Sequence, residues 1–216
     1  MGYTRIVITN VVVIIVLIVA AVTGYYFYNQ STTYIKTENA QIAGQQMLIT
    51  APATGKLEDW KGKVGQVFKA GDVIGTVQTA GAQGTTAVNV SMPADGTVVQ
   101  TSAYDNETVA PGTPLGYAYN MSSLFVNANI EETQLKNVKV GQTVDIYVDA
   151  FPNNTLTGTV NQIGQATAGT FSMLPQSNSN ANYTKVTQVV PVKIMLTDNQ
   201  GVALVPGMSA EVRIHK

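Results

Sequence analysis

The chain has 216 residues, of which 45% are hydrophobic and 12% charged, with a net charge of −1. That supplies one or two cored domains at about half the ~25% charge usual in soluble chains, and no basic footprint for nucleic acid. Cysteine is absent and His215 is the single histidine, so disulfides, thiolate metal sites, cysteine nucleophiles and most general-base chemistry fall away.

The first element is apolar. No charged residue occurs between Ile6 and Ile35, and Val11–Val22 reads VVVIIVLIVAAV. A helix over this stretch, through Ile6, Val11, Leu17 and Val22, is long enough for a ~30 Å hydrocarbon layer at ~1.5 Å per residue. Tyr25, Tyr26, Phe27 and Tyr28 supply an aromatic belt at one interface. A cleaved signal peptide is the alternative, with Val19-Ala20-Ala21 as a weak cleavage site. The long apolar core and the aromatic cluster favour an uncleaved anchor. With so few residues before the span, the expected topology is N-terminus inside, with the bulk of the chain extracytoplasmic.

Past the anchor the chain repeats itself. Residues 49–78 and 90–119 align without gaps at a constant offset. The alignment pairs Pro52 with Pro93, Gly55 with Gly96, Gly71 with Gly112, and Gly75 with Gly116. Proline and glycine recurring in step mean the same turns made twice. Each copy is too small to bury its own face, so two copies clasp into a small β-sandwich. The paired pattern P-A-x-G with, further on, G-x-x-(I/L) at 71–74 and 112–115 resembles the biotinyl/lipoyl domain, which occurs in acyl carriers and in export adaptors of the HlyD type. A carrier needs a lysine on the hairpin between the halves, and no lysine or arginine occurs from Ala70 to Leu135. A carrier is thereby disfavoured, and no cofactor is expected.

The C-terminal part reads as half-buried strands. Leu124, Val126, Ala128 and Ile130 alternate with polar or aromatic neighbours. Val144, Ile146 and Val148 do the same, as do Val190, Val192 and Ile194, and Ala210, Val212 and Ile214. Pro191 points the third of these runs towards an edge or a bulge. Asn129–Lys136 reads as a short helix capped by Asn129. Closure into a small β-barrel is expected.

Leu124-Phe-Val-Asn-Ala-Asn-Ile-Glu-Glu-Thr-Gln-Leu135, Val138-Lys-Val-Gly-Gln142, Phe171-Ser-Met-Leu-Pro175 and Pro206-Gly-Met-Ser-Ala210 carry a further resemblance. In that order they are similar to the HlyD/EmrA-type membrane fusion proteins, the adaptor subunits of efflux systems. The similarity runs over roughly residues 35–216. Val189 departs from it, since many relatives carry arginine there. In relatives a long α-helical hairpin grows between the lipoyl halves; here residues 79–89 read TAGAQGTTAVN, too short for one and expected as a short loop. This chain therefore resembles a short form lacking that hairpin, suited to a cell without an outer membrane or to a partner that supplies the reach.

The expected fold is mainly β: an N-terminal transmembrane helix, a biotinyl/lipoyl-like β-sandwich and a small antiparallel β-barrel. The expected boundaries are 1–30 for cytoplasmic tail and anchor, 31–46 for linker and entering strand, 47–120 for the lipoyl-like domain and 121–216 for the barrel. The resemblance implies a non-enzymatic adaptor at the cell membrane. Its partners would be a cytoplasmic-membrane exporter of major-facilitator or ABC type and further copies of itself, with no nucleic acid. The candidate partner interface comprises Asn127, Asn129, Glu131, Gln134, Phe171 and Gln188. The alternative is an accessory envelope-binding or regulatory protein without a transport role. Other features read as structural. Ser209 lacks the second glycine of a nucleophile elbow, Asp145 and Asp149 form a solvated face, Trp60 packs at an exposed edge, and 176–182 is a polar loop.

Overall fold

A computed structural model describes residues 2–81, 84–171, 187–198 and 200–216. The chain divides into two compact units. One comprises Met1–Ala40, Asn127–Gln200 and Ser209–Lys216; the other comprises Gln41–Val126 and Gly201–Met208.

The first unit begins with helix α1, Tyr3–Thr33. Its described side chains from Val11 to Val22 are apolar and exposed on every side of the helix. Side chains within it are described at Ile8, 10–25 and Thr33, and among the described residues no helix is long and apolar enough to cross a membrane.

The sandwich fills the second unit. Its sheets have the orders β2-β9-β7-β4 and β6-β5-β3-β8. The strands are β2 Gln46–Thr50, β3 Gly55–Glu58, β4 Val67–Phe68, β5 Val73–Gly81, β6 Gly84–Ser91, β7 Gly96–Thr101, β8 Thr108–Val109 and β9 Pro114–Tyr119. The repeat is visible bond by bond. Gly71 N donates to Met92 O, and Gly112 N to Ala51 O, both at 2.9 Å. Gly65 N donates to Val98 O at 2.8 Å, and Asn106 N to Leu57 O at 2.7 Å. β3 pairs β8 through Gly55↔Val109, and β4 pairs β7 through Phe68↔Gly96. Each half therefore closes the other's turns. Gly71 and Gly112 take φ of +85° and +82°, the left-handed region that a Cβ penalises.

The two halves share one core: Ile49, Leu57, Ile74 and Val77 from the first, Val90, Val98, Leu115 and Ala118 from the second. Trp60 belongs to this core at 9% exposure, which corrects its reading as an exposed edge residue. Its ring lies against Gly62 and Gly75, where added Cβ atoms would approach it to 2.3 and 3.1 Å. The missing side chains make the room. Trp60 Nε1 donates to Thr101 Oγ1 at 2.9 Å, so the indole N–H is satisfied inside.

Residues 79–89 are not a short loop. β5 and β6 continue into a ribbon through Thr79↔Thr86, Ala80↔Thr85 and Gly81↔Gly84. Threonines on both strands favour extended backbone, and the described ladder ends at the Gly81–Gly84 pair. Among the described residues of this segment there is no helix.

The barrel is closed, in the order β1-β10-β13-β12-β11-β14. Its strands are β1 Tyr34–Ala43, β10 Phe125–Glu131, β11 Thr143–Val148, β12 Thr155–Ile163, β13 Val189–Asp198 and β14 Ser209–His215. Alternate residues are buried, as in Val144, Ile146 and Val148 on β11 and Ala210, Val212 and Ile214 on β14. Pro191 does not mark an edge, because β13 has neighbours on both sides. The ladder instead shifts register on β12 between Val160 and Gln162, and Gly164 N donates to Pro191 O at 2.8 Å. Asn129 does not cap a helix. It stays in β10, and the helix, α2, is confined to Glu132–Leu135. The polar loop expected at 176–182 lies outside the described residues.

Candidate partner interface

On the barrel's outer face, β1, the end of β10 and α2 meet at a cleft. Asn129 Nδ2 donates to Asn39 Oδ1 at 3.0 Å, and Thr37 Oγ1 donates to Asn129 O at 2.9 Å. These bonds hold residues of distant sequence side by side. The α2 turn is fixed at its start by Glu132 N donating to Gln188 O at 3.0 Å. Between them lies a cleft of about 330 Å³ lined by Lys36, Thr37, Glu38 and Asn39 of β1, Ile130 and Glu131 of β10, and Gln134 of α2. Glu131 is exposed at its rim. The Glu131 carboxylate accepts from Thr133 Oγ1 at 3.4 Å. Two carboxylates, two side-chain amides and the Lys36 ammonium share the lining, and Lys36 pairs with Glu38.

A charged stripe continues from the cleft across β14 to β11. Lys36 Nζ lies 3.1 Å from Glu38 Oε1 and 3.3 Å from Glu211 Oε2. Hydrogen bonds to Glu38 first, and then to Glu211, hold the Lys36 ammonium above its ordinary value. Arg213 Nε donates to Glu211 Oε1 at 2.8 Å, which raises the guanidinium in turn. The Arg213 guanidinium carbon sits 4.7 Å from the centre of the Tyr147 ring. His215 Nε2 meets Asp145 Oδ2 at 2.9 Å and Tyr34 edge-to-face at 4.8 Å.

Ser209 and His215 stand at opposite ends of β14. Asp149 lies beyond the end of β11, where its N–H donates to Ser209 O at 3.1 Å. Among the described residues no cluster of His, Asp and Glu could hold a metal ion.

The structure gathers Asn129, Glu131, Gln134 and Gln188 around the β10–α2 junction. Asn127 is half-buried on β10, on the same parity as Asn129. Phe171 ends a 3-10 turn at Ala168–Phe171, and its side chain lies outside the described residues. So do the side chains of Ile6 and Tyr28, whereas Val11, Leu17, Val22 and Tyr25 are exposed on α1. In the sandwich, Pro52 and Pro93 belong to the segments entering β3 and β7. Added Cβ atoms at Gly55 and Gly96 would meet Gln78 O at 2.1 Å and Tyr119 O at 2.9 Å, the same contact in each half. Lys36, Glu38 and Asn39 were absent from the sequence-based site. In β1 the buried positions are Ile35, Ala40 and Ile42, so the parity changes between 35 and 40 and period two does not run through.

Residues 45–120 match the family model for the YhbJ barrel-sandwich hybrid domain, and 123–215 match the AAEA-like beta-barrel domain. The chain is 43% identical over 214 residues to the putative efflux system component YhbJ of Bacillus subtilis, covering 99% of this chain and 94% of that protein. It is 33% identical over 126 residues to the colistin resistance protein EmrA of Acinetobacter baumannii, a match covering 58% of this chain and only 36% of that protein. The solved structure of the periplasmic adaptor protein EmrA superposes with a TM-score of 0.56 at 13% identity, covering 85% of this chain and 99% of that one. A sandwich of two clasped halves, a closed six-stranded barrel and a relative matched over nearly its whole length place the chain in the HlyD/EmrA-type membrane fusion protein family.

Proposed function

We propose that this chain is the adaptor subunit of an efflux system and works by assembly with a transporter of the cytoplasmic membrane, without chemistry of its own. The observation that carries this is the near-full-length match to an efflux system component, with both family domains in the same order. In this reading 1–30 holds the anchor, 31–46 the entering strand, 47–120 the sandwich and 121–216 the barrel. The all-round apolar surface of α1 supports a single membrane span, since such a helix is stable only in a core or in lipid. The N-terminus is then inside and both β modules lie outside the cell membrane. The partner is an exporter of major-facilitator or ABC type, and copies of the adaptor assemble around it. The ribbon in place of a helical hairpin suits an envelope that asks for no long reach. The cleft between β1, β10 and α2, with Asn127 and Gln188 nearby, is the docking surface for the transporter's extracytoplasmic loops, whose basic groups would meet Glu131.

The test is crosslinking in native membranes, followed by purification of the full chain and identification of what accompanies it. A polytopic exporter is expected, and Glu131→Lys should cut its recovery at least about tenfold, the equivalent of ~1.4 kcal/mol. Unfolding stability of the variant should stay within about 0.5 kcal/mol, as for an exposed substitution. Recovery of envelope enzymes or wall polymer alone would overturn the export role.

A further inference from the structure

β6 is the outer strand of its sheet, eight residues long, and exposed over most of its length. Its only ladder among the described residues is with β5. β3 pairs β5 no further than Gln78, so Thr79–Gly81 and Gly84–Thr86 run on as a two-stranded ribbon. Such ribbons are marginal alone, and long open edges are normally blunted by lysine, proline or a bulge. Here no charged residue occurs from Val73 to Ala94, Gly84–Ser91 contains no proline, and the register shift of the β5–β6 ladder lies on β5 between Val73 and Gly75, opposite the far end of β6 at Val90 and Ser91. The second half of the repeat has no counterpart to this extension, since β9 ends at Tyr119, the repeat mate of Gln78.

We infer that the β6 edge is a self-assembly surface, on which β6 of a second copy pairs antiparallel to give a continuous sheet β5-β6-β6-β5. The occupant follows from the edge itself. An uncharged strand carries no repulsion against its own copy, and antiparallel pairing about a two-fold axis needs no second surface. Thr85, Ala87 and Asn89 share the outward parity, while Val88 and Val90 turn towards the core. A two-fold axis at Ala87 sets the smallest of the three against itself and each Thr85 against Asn89 of the other copy. Small and hydrogen-bonding side chains fit there without clash. This deepens the self-assembly part of the adaptor reading and rests on it.

The chain has no cysteine, so single thiols report pairing cleanly. Ala87→Cys in the full chain, in membranes, should form a disulfide dimer on mild oxidation. Thr85→Cys and Asn89→Cys should each fail alone, because two residues off the axis leave the paired thiols about 13 Å apart. Mixing those two chains should restore the dimer. Val140→Cys, exposed in the barrel, is the collision control, and unchanged Trp60 emission shows that each variant is folded. Equal crosslinking at all sites would overturn the proposal, as would a product containing the transporter instead of a second copy. If mass photometry shows an oligomer but Ala87→Cys reacts no faster than Val140→Cys, self-assembly stands and this surface is wrong. A monomer under all conditions would remove both.

Discussion

Replacing Thr101 by valine keeps the shape of the side chain and removes the acceptor of the Trp60 indole N–H, together with a long 3.5 Å hydrogen bond from Thr101 Oγ1 to Ala103 O. The indole bond is 2.9 Å long and its donor ring is 9% exposed in the sandwich core. A donor left without a partner at such a site costs about 1–3 kcal/mol, the desolvation of the N–H rather than the modest net value of the bond. Thr101→Val should therefore destabilise the sandwich by ~1–2 kcal/mol. Thr101→Ser, which keeps the hydroxyl, should stay within about 0.5 kcal/mol of the parent. Trp60→Phe removes the donor and leaves space beside Gly62 and Gly75. In that background Thr101→Val should be nearly neutral, giving a coupling of about 1 kcal/mol. Urea unfolding measures this directly, with the emission of Trp60, the single tryptophan, as reporter and circular dichroism for the phenylalanine variants. Full additivity of the two substitutions, or Thr101→Val matching the parent to within roughly 0.3 kcal/mol, would show that the bond does not seal the core.

The repeat makes a paired prediction: Gly71→Ala and Gly112→Ala should each cost about 1–2 kcal/mol and agree with one another, since both sit at positive φ in open space; denaturant midpoints check this. Gly55→Ala should be worse than Gly96→Ala, at about 3 kcal/mol or more, because its Cβ would strike the Gln78 carbonyl at 2.1 Å, whereas at Gly96 the nearest atom is the movable Met47 Cε at 2.4 Å and the Tyr119 carbonyl is 2.9 Å away; relative yield of soluble protein and thermal midpoints would show the order. In the barrel, Lys36 is held above its ordinary value by Glu38 and Glu211. A raised cation stabilises the fold fully below its unfolded value, about 10.4, and gives that up as pH climbs through the folded one. The stability difference between parent and Glu211→Gln should thus be constant from about pH 7 to 9 and shrink above about 10.4. It should also shrink in ~1 M salt. A difference that vanished near neutrality instead would assign it to another group.

Strand content and the duplication were legible because they rest on local signals. Alternation in Val144–Val148 and Ala210–Ile214 survives without knowledge of neighbours, and glycines such as Gly71 and Gly112 mark the same turn twice. The features that were not legible depend on partners remote in sequence. Trp60 is buried because Gly62 and Gly75 leave it room and Thr101 accepts its proton. Asn129 stays extended because Thr37 and Asn39, some ninety residues earlier, bind its carbonyl and amide. The shortness of 79–89 suggested a loop, and only cross-strand pairing of the threonines decides for a ribbon. The cleft shares that difficulty: its acidic rim at Glu131 was visible, whereas its other wall comes from β1, whose broken parity hides it.

The closed barrel has a consequence for synthesis. β1 precedes the whole sandwich in the chain and β14 follows it, yet the barrel closes only when these two strands meet, with Lys216 N donating to Thr33 O at 3.1 Å. As the chain emerges, the sandwich strands β2 to β9 are complete long before β14 exists. β1 must wait with both edges unpaired while they fold, and its β14 edge stays open until β14 is made. Closing so long a loop is slow, so barrel closure should be the last event in maturation and the step at which a chaperone or protease meets the nascent protein.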